Sequence, residues 1–209
     1  QRSYTEARYL YEQALTIYKQ TLGHVHPSVA QCCTHLGMLL YHIGDLQTAQ
    51  YHLEQALTIC EQVLVPFAPE IAASLNNLGV LFQRLGELSK AKQFYERALR
   101  IKEQNLITDY PTLAKSFNNL GNLLYTMRDL PAAQNYYARA LHICKQQLGL
   151  SHPFTAVILD NLGALFQAIE DLSTAKAYYE EALNIREQAL GPNHPDTAFS
   201  LNNLGTLLD

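Results

Sequence analysis

The side chains of this chain best placed to do chemistry are carboxamides. Asn76-Asn77, Asn118-Asn119 and Asn202-Asn203 form pairs, and Asp160-Asn161 fills the same place in a fourth copy. A carboxamide offers both a donor and an acceptor, so it can match the N–H and C=O groups of another backbone without demanding a sequence. An extended peptide presents such groups every ~3.3 Å. The chemistry implied is recognition of a chain, not its turnover.

Other reactive residue types point nowhere as sharply. Of the histidines, His26, His152 and His194 each precede a proline, where a role at a helix start is sufficient. His24 and His26 share a loop, with His35, His42 and His52 following, but none forms the tight His/Cys pairing of a structural zinc site. We therefore expect no metal and no cofactor. Cys60 and Cys144 share one helical slot and read as packing residues, and Cys32 and Cys33 are adjacent. Four cysteines are too few for a disulfide framework, so reduced thiols in a cytoplasmic protein are expected. Glu170-Asp171 sits at a turn and Glu180-Glu181 inside a helix, where capping and solvation account for them. No catalytic constellation emerges, and no glycine-rich phosphate loop follows a strand.

Composition excludes further classes. The net charge is −4 with lysine and arginine scattered, which argues against a nucleic-acid partner. Hydrophobic residues make up 48%, and no apolar run approaches the ~18 residues of a membrane span.

The elements that position the amides follow from a repeat. Leu75-Asn76-Asn77-Leu78-Gly79 returns as Phe117-Asn118-Asn119-Leu120-Gly121, Leu159-Asp160-Asn161-Leu162-Gly163 and Leu201-Asn202-Asn203-Leu204-Gly205. Cys33-Thr34-His35-Leu36-Gly37 is a worn copy, and the five glycines are spaced by 42 residues. A fixed period of this size marks stacked repeats. Each period holds two helical patterns. Pro27, Pro69, Pro111, Pro153 and Pro195 open the first helices, since proline suits a first turn. Ala72, Leu75, Leu78, Leu81, Phe82 and Leu85 then recur on one face. Gly44 and Gly86 end two of these helices, while Arg128 and Glu170 hold the slot later, where a strained or differently shaped turn is expected. Asp45, Asp129 and Asp171 are N-caps for the second helices, and Glu87 sits in the same place. Ala91, Tyr95, Ala98, Leu99, Ile101 and Leu106 form a second apolar face. One of each pair Tyr136-Tyr137 and Tyr178-Tyr179 belongs to the core. Val65-Pro66-Phe67-Ala68 and Ile107-Thr108-Asp109-Tyr110 are apolar connections that would pack on a neighbour.

These boundaries predict a single array over 1–209: an orphan second helix (1–22), four full repeats (27–64, 69–106, 111–148, 153–190) and an orphan first helix (195–209). The chain opens and closes inside a repeat and reads as a piece of a longer one. Both terminal helices would expose an apolar face, so end-to-end self-association is expected.

Gly79, Phe82, Ala91, Tyr95 and Ala98 reproduce a spacing that resembles the tetratricopeptide repeat (TPR). The 42-residue period, with Gly191-Pro192-Asn193-His194-Pro195 between units, resembles the kinesin-light-chain variety. Leu75, Phe117, Leu159 and Leu201 stand where the general repeat has tryptophan. The resemblance implies an all-α, right-handed superhelical solenoid of antiparallel helix pairs, with first helices lining a concave groove. Members of the family bind extended peptide segments of partner proteins there. Similar bacterial arrays serve as sensing or scaffolding parts of larger signalling proteins.

In the family the first amide of each pair faces the groove, which here means Asn76, Asn118 and Asn202, with Asp160 in the fourth slot. Helical spacing places Lys115, Asn122, Tyr125, Val80, Gln83, Arg84, Ala164 and Gln167 on the same face. The second amides, Asn77, Asn119, Asn161 and Asn203, lie nearer the packed side and read as structural. Thr34 and His35 break the pattern, so the groove should be uneven and best formed in units two and three, with Lys115 and Arg84 opposed by Asp160. The function expected is a protein-interaction scaffold that binds a peptide, or alternatively an architectural or regulatory array packing on its own chain or on copies of itself.

Overall fold

Proline at the start and a left-handed residue at the end delimit the first helix of each repeat. In the computed structural model, which describes residues 2–104, 109–149 and 151–208, these helices are α2 (Pro27–Ile43), α4 (Pro69–Arg84), α6 (Tyr110–Thr126), α8 (Pro153–Ala168) and α10 (Pro195–Leu208). Second helices alternate with them: α1 (Arg2–Leu22), α3 (Leu46–Val63), α5 (Leu88–Gln104), α7 (Leu130–Ile143) and α9 (Leu172–Leu190). A π-helical turn, Cys144–Leu148, prolongs α7. No strand occurs among the described residues, and no helix is long and apolar enough to cross a membrane. Leu106, Ile107 and Thr108, expected at the end of α5 and in the next connection, lie outside the described residues.

The caps use the expected side chains. Asp45, Asp129 and Asp171 accept hydrogen bonds from the backbone N–H groups of Thr48, Ala132 and Thr174. Nδ1 of His26, His152 and His194 accepts from Ser28, Phe154 and Asp196 N–H, each at 3.1 Å. Each of these satisfies a donor that a helix start leaves without a partner. At the other end Gly44 and Gly86 take φ of 91° and 79°. Arg128 and Glu170 take φ of 64° in the same slot. The turn keeps its shape there: Arg128 N–H still reaches the Tyr125 carbonyl and Asp129 N–H the Leu124 carbonyl. Of the two outcomes expected, strain is the one seen.

The chain forms two compact units, residues 1–107 with α1 to α5 and residues 108–209 with α6 to α10. Within each, a first helix packs on the second helix of its own repeat along small residues. Ala49, Ala91, Ala133 and Ala175 are fully buried, as are the leucines Leu75, Leu78, Leu120 and Leu123. The glycine of the repeated stretch receives a ring. A Cβ added at Gly79, Gly121 or Gly163 would lie 2.5, 2.5 or 2.6 Å from Tyr95, Tyr137 or Tyr179. At Gly37 the neighbour is Leu53 instead, at 2.8 Å. So glycine is required by close approach, and Tyr137 and Tyr179 are the buried members of their pairs. The cysteines are free and buried, with burial pushing the Cys33 and Cys144 thiols up to about 11. In the apolar connection before α4, Ala68 is buried while Val65 is 72% exposed.

Candidate protein-interaction surface

Two layers of polar side chains lie along the first helices, and they differ in depth. The deeper layer is the amide pair. In the unit formed by α6 to α10, Asn161 Nδ2 donates to Asn118 Oδ1 at 2.8 Å, and Asn203 Nδ2 reaches toward Asp160 Oδ1 at 3.4 Å. The second amide of one repeat thus clasps the first amide, or its replacement, in the repeat before. Asn118 and Asp160 are both 6% exposed. Buried polar groups need partners, and the clasp supplies them.

Asp160 shows what the clasp costs when an amide is replaced. Its Oδ2 lies 2.6 Å from Arg186 Nη2, in an ion pair without hydrogen-bond alignment. Arg186 also donates to Ser200 Oγ, and its guanidinium lies 5.6 Å from the centre of the Phe199 ring. Burial raises the Asp160 carboxyl, while Arg186 and Asn203 pull the other way. The negative charge expected to oppose Lys115 and Arg84 is therefore spent inside the fold on Arg186. Sequence reading passed over Arg186, although it stands where Cys60 and Cys144 stand in other repeats. Two departures in contact, Asp160 and Arg186, were the available signal.

The shallower layer lies one to two turns further along each first helix. Gln83, Asn122 and Gln167 are half-buried, and each accepts a hydrogen bond from a core tyrosine hydroxyl. The bonds are Tyr95 to Gln83 Oε1 at 3.1 Å, Tyr137 to Asn122 Oδ1 at 2.7 Å and Tyr179 to Gln167 Oε1 at 3.0 Å. Where Tyr125 takes the glutamine's place, Asn122 three residues earlier does its work. Burial raises all three tyrosine hydroxyls, that of Tyr179 to about 12, so they remain donors at neutral pH. Each fixed carboxamide keeps its NH2 group as a donor.

The remaining candidates are placed as follows. Arg84 is exposed and donates to the Tyr41 carbonyl at 2.9 Å while lying 4.7 Å from that ring's centre. Lys115 and Asn202 are exposed, and Asn76, Val80, Tyr125 and Ala164 are half-buried. In the worn copy, Thr34 Oγ1 donates to its own helix at the Ala30 carbonyl. No group of three or more potential metal-ligating side chains occurs among the described residues.

A family model, tetratricopeptide repeat, matches residues 1–62, 31–104, 112–188 and 170–209. Among solved structures, BtubC (BKLC) from P. vanneervenii is 26% identical with a TM-score of 0.81, over 99% of this chain and 82% of that one. The nearly identical TPR-like repeats of a Podosopora anserina protein assigned as a kinesin light chain share the fold, with a TM-score of 0.76 and 24% identity over 90% of this chain and 89% of that one. A 45-residue stretch, 22% of this chain, is 40% identical to the Clustered mitochondria protein of Arabidopsis thaliana, and spans 3% of that protein. The fold is of the TPR-like α-α solenoid class, whose members are typically non-enzymatic interaction scaffolds. With the family model matching along most of its length, the chain belongs to the tetratricopeptide repeat family.

Proposed function

We propose that this scaffold binds an extended peptide segment of a partner protein along its first helices. The observation that carries the reading is the division of labour between the two amide layers. Asn118 and Asp160 are consumed in clasps. Gln83, Asn122 and Gln167 are held by tyrosines through their oxygens, with NH2 groups left to donate to peptide carbonyls. Fixing the amide in advance lowers the ordering cost of binding. Lys115, Tyr125 and Asn202 supply side-chain contacts in the second unit, and Arg84 does so in the first.

Random twelve-residue peptides displayed on phage and selected on the whole chain should yield binders. Lys115 and Tyr125 both lie outside the clasps. Changing the two together to alanine should weaken a selected peptide about tenfold, a loss of ~1.4 kcal/mol, without lowering the melting temperature. Failure to select any peptide, or unchanged affinity, overturns the reading.

A second reading is self-association through the terminal helices. Gly205 has nothing within 4 Å of its would-be Cβ, unlike Gly79, Gly121 and Gly163 under their tyrosines. Phe199, Leu201 and Leu208 on α10 are 54%, 50% and 71% exposed, and Tyr9, Leu10 and Ile17 on α1 are 58%, 56% and 57% exposed. Sedimentation at rising concentration should show assembly that Leu208→Asp reduces; a monomer throughout rejects it.

A further inference from the structure

The junction between α2 and α4 lacks an amide clasp. Thr34 stands in the slot of Asn118 and Asp160, and its hydroxyl is turned back to the Ala30 carbonyl at 3.0 Å. Asn77, the counterpart of Asn161 and Asn203, therefore meets no carboxamide or carboxylate in that slot. A cavity of 380 Å³ is lined by Thr34 and Ala30. Its floor is formed by the buried Cys60 and Ser74, its walls include Leu64 and Ala73, and Gln31 and Glu70 stand exposed among its lining. Ligand pockets run from about 300 to 1,000 Å³, so this one suits a single long side chain.

Charge selects the occupant. Glu70 is the one charged residue in the lining, and no basic residue accompanies it. The floor feels a negative potential: the Cys60 thiol is raised by burial first, the Ser74 hydrogen bond opposes, and Glu70 and Glu61 add to the rise. Glu61 is already paired with Arg97. An acidic side chain entering here would meet Glu70 with like charge. A purely apolar one would leave that carboxylate without a cation. A long cationic side chain satisfies both surfaces, since its methylene stem packs on apolar walls while its head stays at the polar edge.

We propose that the cavity between α2 and α4 is a subsite for a lysine or arginine side chain of the bound peptide, its stem against Leu64 and Ala73 and its head at Glu70. This rests on the peptide-binding reading above and adds the chemistry of one contact to it. Thr34 lines the cavity, so a larger amide side chain at position 34 would narrow the space.

The test uses the phage-selected twelve-residue peptides on the whole chain. Selection on the wild type should enrich one aligned lysine or arginine, and replacing that residue by norleucine should weaken binding about fivefold, in the range of a partly exposed ion pair. Glu70→Gln should produce the same loss and abolish the difference between the lysine and norleucine peptides. Thr34→Asn should weaken the lysine peptide to a similar degree, with circular dichroism confirming intact helices in both variants. Binders that carry no aligned cation, or whose affinity is indifferent to Glu70→Gln, overturn the subsite while leaving peptide binding in place. If no peptide is selected at all, both fall together.

Discussion

Gly121 is a glycine because the ring of Tyr137 occupies the space a methyl group would need. The ring cannot easily retreat: it is 2% exposed, and its hydroxyl is tied to Asn122. Gly121→Ala should therefore cost about 1–3 kcal/mol through overpacking, read as a fall in the denaturant midpoint; an unchanged midpoint would mean the joint is looser than the 2.5 Å approach indicates. Asp171 offers a second test at this scale. The Thr174 hydroxyl, the Thr174 N–H and the Ser173 hydroxyl all donate to its carboxylate and hold the carboxyl below its ordinary value. A carboxyl depressed on folding stabilises above its unfolded value, near 3.9, and loses that contribution as pH falls through the folded one. The melting-temperature gap between wild type and Asp171→Ala should be full at neutral pH and close progressively below pH ~4. The leucine, glycine and tyrosine roles were legible in the sequence because each depends on spacing within one repeat. The depth of the first amide was not, since its partner lies 43 positions away and the clasp exists only once helices from two repeats meet.

At the scale of the element, a polar contact between first helices ties α6 to α8 and another ties α8 to α10, and the fourth-copy variation is informative. Asn118 with Asn161 is a neutral clasp, whereas Asp160 brings a charge that only Arg186 balances. Breaking such a buried pair on one side leaves an uncompensated charge, so Asp160→Asn alone should cost about 3–5 kcal/mol. Asp160→Asn combined with Arg186→Cys restores the residues that Asn118 and Cys144 present in the third copy. The double variant should recover most of the loss, and additive behaviour of the two changes would show that the residues are not energetically coupled. The caps of α6 and α8 follow the opposite logic. Arg128 and Glu170 hold left-handed backbone that costs a side-chain-bearing residue about 1–2 kcal/mol. Glycine would relieve this at the expense of some unfolded-state entropy. Arg128→Gly should raise the melting temperature slightly, and a decrease would show that the arginine side chain contributes more than the strain.

For the molecule as a whole, stability should follow position along the array, because each repeat is covered only by its neighbours. Burial already shows the gradient. Helix α4 buries eight residues, from Ile71 to Phe82, whereas α10 buries only Thr197 and Ser200. On α1, Leu15 is the one apolar residue in the core among the described residues. Local opening is easiest where few apolar contacts hold a segment. Amide hydrogen exchange should therefore be fastest in α1 and α10 and slowest in α4, α6 and α8, where the leucines of the repeated stretch are sealed. A ligand held by Asn122 and Gln167 should slow exchange in α6 and α8 and leave α1 unchanged. If copies of the chain instead assemble through their terminal helices, raising the protein concentration should protect α1 and α10 without any peptide. The two readings thus predict protection at opposite places in one experiment, and protection confined to α1 and α10 would remove α6 and α8 from the interaction.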